Sequence, residues 1–157
     1  MYAFSYLISA KELNANIQTK FPIEKRFLLS KFIFSKPKLE IDKKTDLIFF
    51  ECDAYNTSIV LDDGETPVFR VYAKSDIRYD GDNLYLEKVK IDKIQNKHLS
   101  KSLEENLIIG MEFLLNVYFD KKPIYSLEDS TYSLELAKSM ISDVVVDDGN
   151  IKILIME

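Results

Sequence analysis

The sequence predicts an α+β fold in which antiparallel strands surround one long central helix. Three observations support this prediction: one long segment has the apolar period of a helix, several segments alternate apolar and polar residues as strands do, and turn residues separate those segments. The chain has 157 residues, with four Gly and four Pro. This length and composition are typical of one globular domain, which we expect to run from residue 1 to residue 157.

The central helix is predicted from Leu99 to Phe119. At about 3.6 residues per turn its apolar side chains fall on one stripe, which covers about half of the circumference. The polar residues Glu105, Glu112 and Asn116 are predicted to lie on the opposite side. Because this stripe is wider than a single flat contact requires, we expect other elements to wrap around the helix. The stripe consists of Leu103, Leu107, Met111, Leu114 and Tyr118, flanked by Val117, Ile108 and Leu115.

The segments before this helix predict a short helix followed by strands. Tyr2 to Ile8 is predicted to be a strand, and Ser9 with Glu12 is typical of a capping box that begins a helix. That helix should end before Phe21-Pro22, because the residue before a proline is disfavoured in helices. Pro37 predicts a bulge or a sheet edge, since proline donates no backbone hydrogen bond. Further strands are predicted at Arg26–Asp42, Asp46–Leu61, Phe69–Tyr79 and Leu84–Ile91.

Beyond the central helix the sequence predicts a third helix and a C-terminal hairpin. The third helix is expected from Ser130 to about Ser142. The hairpin pairs Val144–Val146 with Ile151–Met156 through a turn at Asp147-Asp148-Gly149-Asn150, since Asp, Gly and Asn favour turn conformations.

Catalytic and metal-binding patterns are absent from the sequence. The chain has one histidine, His98, and one cysteine, Cys52, which excludes an internal disulfide and metal sites built from those residue types. Asp80-Gly81-Asp82-Asn83 and the C-terminal turn look superficially like calcium loops, but Ile91 stands where an EF-hand needs Glu. Turn chemistry explains both segments. We therefore expect a non-enzymatic protein with no cofactor and no metal.

The charge is unevenly distributed. The chain carries a net charge of −5, yet basic residues outnumber acidic ones from Lys20 to Lys44. This region could contact a membrane surface, because each Lys or Arg near anionic headgroups contributes about 1 kcal/mol. The alternative is a solvated outer face of a strand pair. We expect no nucleic acid partner, since the chain is acidic and has no basic aromatic stripe, and we expect a monomer.

No segment of the sequence has the apolar length of a membrane span. The longest apolar stretch, Leu107 to Phe119, is interrupted by Glu112 and Asn116, whereas a span needs about 20 apolar residues. The first residues, MYAFSYLIS, show neither the basic start nor the apolar run of a signal peptide. A cytoplasmic protein and an envelope protein whose targeting segment has been removed both fit this beginning.

A ligand groove is predicted where small residues stand at the middle of two adjacent strands. Cys52 and Ala54 lie in one strand, and Ala73 and Ser75 lie in the next. The space above them could receive the helix backbone at Gly110 or a guest molecule, and the sequence leaves both open. Our first hypothesis is that an acyl chain or similar apolar ligand binds there. The predicted lining residues are Phe50, Phe69, Val71, Leu107, Met111, Leu114 and Tyr118.

The second hypothesis is an interaction or structural module with a solid core. Such a module would use an exposed sheet edge, or the aromatic residues Phe49, Tyr55 and Tyr72, as its docking patch. These three residues would otherwise belong to a small second core under one of the helices.

Several local patterns together resemble one family. Phe4-Ser5-Tyr6-Leu7-Ile8-Ser9 with Glu12-Leu13-Asn14, the segment Asp82 to Val89, and Tyr118-Phe119 followed by Pro123-Ile124-Tyr125-Ser126-Leu127 are similar to the YceB-like bacterial lipoproteins. The resemblance spans nearly the whole chain. It implies a strongly curved antiparallel sheet around a long helix, related to the tubular lipid-binding (TULIP) superfamily. It also implies a periplasmic or membrane-anchored envelope protein, although this chain shows no signal peptide and no lipobox cysteine.

Overall fold

The computed structural model describes residues 4–60, 63–96, 99–127 and 141–155. These residues form an α+β fold with antiparallel sheets. In chain order the elements are β1 (Phe4–Ser9), α1 (Ala10–Gln18), β2 (Ile23–Phe27), β3 (Ser30–Ile41), β4 (Ile48–Asn56), β5 (Phe69–Tyr79), β6 (Asn83–Gln95), α2 (Lys101–Lys121), β7 (Tyr125–Ser126), β8 (Ile141–Asp147) and β9 (Asn150–Ile155).

The strands form two separate sheets. The smaller sheet has the order β1-β9-β8, and the larger has the order β2-β3-β4-β5-β6-β7. In the larger sheet the register between β3 and β4 shifts between Ser35 and Lys38, which confirms the bulge predicted at Pro37. Alternate residues of β4 and of the first part of β5 are buried, so the centre of this sheet has one face on the core and one face toward solvent.

The predicted architecture of one strongly curved sheet wrapped around one long central helix is wrong. α2 is short, with 21 residues, and the larger sheet is not strongly curved. Three of the strands belong to the smaller sheet instead. α2 buries one side and leaves Ile109, Phe113 and Val117 exposed on another. Of the predicted apolar arc, Leu103 and Val117 are exposed, whereas Ile109 and Phe113 lie outside that arc.

Two polar residues of α2 explain its orientation. Glu112 and Asn116, which were predicted to face away from the core, bind the backbone of β6. The Ile91 N–H donates to Glu112 Oε1 at 2.8 Å, and the Val89 N–H donates to Asn116 Oδ1 at 2.8 Å. Asn116 Nδ2 also donates to the Val89 carbonyl at 2.9 Å. The Asn116 side-chain amide thus satisfies the strand edge as a neighbouring strand would.

α1 makes the same kind of contact with β3. Asn14 Nδ2 donates to the Leu39 carbonyl at 2.8 Å, and the Leu39 N–H donates to Asn14 Oδ1 at 2.6 Å. β2 pairs with β3 from Ile23↔Phe34 to Phe27↔Ser30, so Leu39 lies beyond the residues that pair with β2. In this way each of the two described helices is fixed to a strand by one asparagine.

Both terminal predictions that fall on described residues agree with the structure. Ser9 caps α1, its Oγ accepting from the Glu12 N–H at 3.2 Å, and the helix ends at Gln18. The predicted C-terminal hairpin is confirmed as β8 and β9, with Gly149 at φ +76° in the turn. The third helix was predicted at residues 130–142. Residues 130–140 of it lie outside the described residues, and Ile141 begins β8.

The described part of the chain has one buried hydrophobic cluster that joins the two sheets and both helices. An aromatic group lies at its centre: the Phe119 ring is 5.2 Å from the Phe50 ring and 6.4 Å from the Phe21 ring, measured between centroids. Among the described residues, no helix has both the length and the apolar composition needed to cross a bilayer.

Cys52 is expected to be chemically inert in the folded protein. Its side chain is fully buried, and burial raises the pKa of its thiol. The thiolate is the form that attacks a thiol reagent, and both its formation and access of the reagent are disfavoured here. Ellman's reagent should therefore leave the native protein unmodified and should react in full once urea unfolds it. Rapid reaction in native buffer would contradict the burial of this side chain.

Candidate functional site

The seven predicted groove residues lie together in the core. Phe50, Phe69, Val71, Leu107, Met111, Leu114 and Tyr118 are each at most 8% exposed. The Phe21 ring lies 6.1 Å from Phe50 and 6.0 Å from Tyr118, so it occupies part of the predicted groove. Gly110 is closely approached, as one alternative proposed, but by aromatic rings: a Cβ there would lie 3.1 Å from Phe27 Cδ1 and 3.6 Å from Phe32 Cζ.

An exposed apolar surface runs from the β2–β3 hairpin onto α2. The hairpin contributes Leu28 and Leu29, which are 85% and 96% exposed. Phe27 connects the hairpin to the helix, because its ring centroid lies 5.5 Å from that of the exposed Phe113. We call this surface the apolar rim. It consists of the partly buried Phe27 and of the exposed residues Leu28, Leu29, Leu103, Ile109, Phe113 and Val117.

Two surface cavities lie along the apolar rim. One of about 230 Å³ lies between the hairpin and α2 and is lined in part by Leu28, Leu103 and Leu107. Another of about 350 Å³ lies beside Phe113 and Val117. The rim therefore continues from the hairpin tip along the helix.

The backbone at the hairpin tip is unusual for the residues it contains. Phe27 pairs with Ser30, so Leu28 and Leu29 form a two-residue turn. Leu28 has φ +56°, a left-handed conformation that costs about 1–2 kcal/mol in residues other than glycine. A two-residue hairpin turn in which only the first residue has a positive φ, as Leu28 has here, favours Gly at that position. Two leucines at this position are therefore favoured neither by the turn conformation nor by exposure to solvent.

Replacing the two leucines with a favourable turn sequence should not harm the fold. We expect Leu28→Gly combined with Leu29→Asn to leave the free energy of unfolding unchanged or to raise it by about 1 kcal/mol, since glycine adopts the positive φ of residue 28 without strain and no buried contact is lost. Urea denaturation followed by circular dichroism measures this change. A loss larger than about 1 kcal/mol would show that the leucines pack against the folded chain.

Basic residues stand next to the leucine tip. Arg26 lies directly opposite Lys31 across the β2–β3 ladder, and like charges in this position repel each other. Glu24 offsets part of the repulsion, its Oε1 lying 3.2 Å from Lys31 Nζ. On the other face of the hairpin, Lys25 Nζ lies 5.7 Å from the centroid of the Tyr118 ring. The tip of the hairpin is therefore apolar and its base is positively charged.

The solvent face of the larger sheet carries the other predicted patch. Phe49 and Tyr72 come together and line a cavity of about 340 Å³, whereas Tyr55 is not among the residues that line it. Arg70 crosses the same face and binds Glu51 at 3.2 Å and Asp53 at 3.0 Å. The cavity is thus bordered by paired charges, with acidic and basic groups on its walls.

The first of the two calcium-like segments, Asp80 to Asn83, is a turn held by the Asp80 carboxylate. The Asp80 carboxylate accepts the backbone N–H groups of Asp82 at 2.9 Å and Asn83 at 2.8 Å, and these bonds hold the pKa of Asp80 below its usual value. Asp80 therefore stabilises its turn. Within the described residues, no group of three or more His, Cys, Asp or Glu side chains could hold a metal ion. His98 lies outside those residues.

The apolar rim was not predicted from the sequence. The segment from Arg26 to Asp42 was predicted to be one strand, but β2 ends at Phe27 and the hairpin turn follows at Leu28-Leu29. The available signal was the doubled leucine itself, which interrupts the alternation of the strand between two basic segments. This turn contains no Gly, Asn or Asp, and therefore none of these residues that usually indicate a turn.

Together, the fold and the rim describe an antiparallel α+β protein with an exposed apolar contact surface. In comparisons with known proteins, the chain matches no family model and no curated sequence. The resemblance to the YceB-like lipoproteins therefore stays a prediction based on the residues quoted for it.

Proposed function

We propose that this protein is a non-enzymatic lipid-binding protein that contacts a lipid surface through the apolar rim. The observation that carries this proposal is the exposure of Leu28 and Leu29, at 85% and 96%, on a turn that their residue type disfavours. Exposed apolar surface in water is unfavourable, at about 25 cal/mol per Å², and a large contiguous patch marks an interaction site.

A lipid fits the hairpin tip better than a folded protein partner does. Leucines exposed on nearly all sides have no preformed pocket around them, and a fluid acyl layer can close around such a projection. A protein partner would need a complementary hole for each leucine. The envelope localisation that the family resemblance implies agrees with a lipid partner.

The internal groove is a separate lipid hypothesis and stays a prediction. An acyl chain could enter between α2 and the sheet only by displacing side chains such as Phe21, which lies against Phe50 and Tyr118. Native mass spectrometry of gently purified protein, followed by organic extraction, tests this hypothesis. Repeated absence of lipid, with no displacement of a fluorescent fatty acid, would argue against it.

A second candidate function is protein docking at the solvent face of the larger sheet. The specific observation is the cavity of about 340 Å³ that Phe49 and Tyr72 line. It would suit an aromatic or aliphatic side chain of a partner, with Lys38 and Glu51 at its border.

Vesicle flotation tests the lipid-surface proposal. The protein is mixed with vesicles of phosphatidylcholine that contain phosphatidylglycerol, and the floated fraction is compared between the natural protein and the Leu28→Gly, Leu29→Asn variant. We expect the natural protein to float and the variant to remain in solution while keeping its fold. Absence of binding by the natural protein, or equal binding by the variant, would refute the proposal.

A further inference from the structure

We infer that the lipid surface bound by the apolar rim is anionic and that the β2–β3 hairpin enters it tip first. This inference rests on the lipid-surface function proposed above. Leu28 and Leu29 insert at the acyl boundary, while Arg26, Lys31 and Lys25 bind phosphate groups behind them. The geometry and the charge of the hairpin each support this arrangement.

The geometry matches the layers of a bilayer surface. Arg26 and Lys31 each lie two residues behind the nearer leucine, and a strand advances about 3.3 Å per residue. The charged groups therefore follow the leucines by about 7 Å. Peripheral proteins insert apolar side chains about 5–10 Å into the headgroup and acyl boundary. Leucines at that depth place the guanidinium and ammonium groups among the phosphates.

The charge of the hairpin favours an anion. Arg26 and Lys31 face each other across the ladder, and one acidic side chain, Glu24, binds Lys31 at 3.2 Å. A phosphate between the two basic groups would remove the repulsion that they exert on each other in the free protein. The pair therefore favours the binding of anionic lipid in two ways, by direct attraction and by relief of the repulsion between Arg26 and Lys31.

The helical part of the rim fits the same orientation. Its exposed residues Ile109, Phe113 and Val117 are bordered by charges of both signs, which are acidic at Glu105 and Asp120 and basic at Lys121. The hairpin instead carries a surplus of basic residues, so anionic headgroups attract the hairpin more strongly than α2. The hairpin is therefore the leading element, and α2 follows at the level of the membrane surface.

Single tryptophans can report the insertion, because the protein has none of its own. Leu29→Trp places the reporter at the tip. Leu7→Trp is the matched control, since Leu7 is also an exposed leucine but lies in β1 of the smaller sheet. With phosphatidylglycerol-containing vesicles we expect a blue shift and quenching by brominated acyl chains for Leu29→Trp and neither effect for Leu7→Trp. Equal behaviour of the two reporters would overturn tip-first insertion.

Charge variants test the anionic preference. We expect Arg26→Gln with Lys31→Gln to weaken binding to these vesicles about 30-fold, since each basic residue contributes about fivefold. Lys43→Gln with Lys44→Gln is the matched control, because it removes the same charge from the exposed β3–β4 turn. We expect this control to change affinity less than about threefold, because its charges lie away from the hairpin tip. A similar loss in both variants would overturn the inference.

The lipid composition separates failure of this inference from failure of the proposed function. We expect binding to vesicles of phosphatidylcholine alone to be much weaker than to mixed vesicles, and added salt to reduce the difference. Equal binding to both compositions, abolished by the Leu28→Gly, Leu29→Asn variant, would overturn the anionic preference and leave lipid-surface binding in place. Absence of binding to either composition would refute both.

Discussion

Phe119→Ala is expected to lower the free energy of unfolding by about 3–5 kcal/mol. The side chain is 1% exposed and contacts the rings of Phe50, Phe21 and Tyr118. Removing it leaves a cavity that joins α2, β4 and the segment after α1, and these elements cannot all move to fill it. Urea denaturation followed by circular dichroism measures the loss.

Phe113→Ala is the control for this prediction. Phe113 has the same residue type on the same helix, but it is 55% exposed. Its replacement should cost less than about 1 kcal/mol, since most of the ring is already in water. If the two variants lose the same stability, the assignment of Phe119 to the core and of Phe113 to the apolar rim is incorrect.

Asn116→Ala is expected to lower the free energy of unfolding by about 2–4 kcal/mol. The change leaves the N–H and the carbonyl of Val89 without the amide that binds both, and each unpaired buried group costs about 1–3 kcal/mol. The higher helix propensity of alanine offsets only about 0.6 kcal/mol of this loss in stability. Hydrogen exchange of the Val89 amide should accelerate along with the loss of stability.

Asn106→Ala provides the matched comparison. Asn106 lies on the same helix and is exposed, so the same change in helix propensity applies without the loss of a strand contact. We expect this variant to be as stable as the natural protein or slightly more stable. Equal destabilisation by the two asparagine variants would show that the Asn116 contact with β6 does not contribute to the free energy of unfolding.

Local patterns predicted the elements well. Ser9 and Glu12 identify the start of α1, and the turn at Asp147–Asn150 identifies the C-terminal hairpin. Both signals act within a few residues, and the backbone conformations that they favour need little help from the rest of the fold. The bulge at Pro37 belongs to the same class, because a missing N–H restricts pairing wherever the strand lies.

The arrangement of those elements could not be predicted in the same way. Periodicity treats Glu112 and Asn116 as residues of the solvent side, but both bind the backbone of β6. A polar side chain that completes a strand edge looks the same in sequence as one in water. The candidate site was missed for a related reason: Leu28 and Leu29 fall within the segment predicted to be one strand, and only their three-dimensional position shows that they form an exposed turn.

The asparagine contacts at Leu39 and Val89 also bear on solubility. Unpaired strand edges recruit strands from other molecules and so start aggregation. Here the side chains of Asn14 and Asn116 occupy hydrogen-bonding groups that such a strand would need. Deamidation of either asparagine would replace its N–H donor with a negatively charged acceptor facing a carbonyl oxygen. Chemical ageing of these two amides would therefore expose the protein to fibrillar self-association without any change in its apolar core.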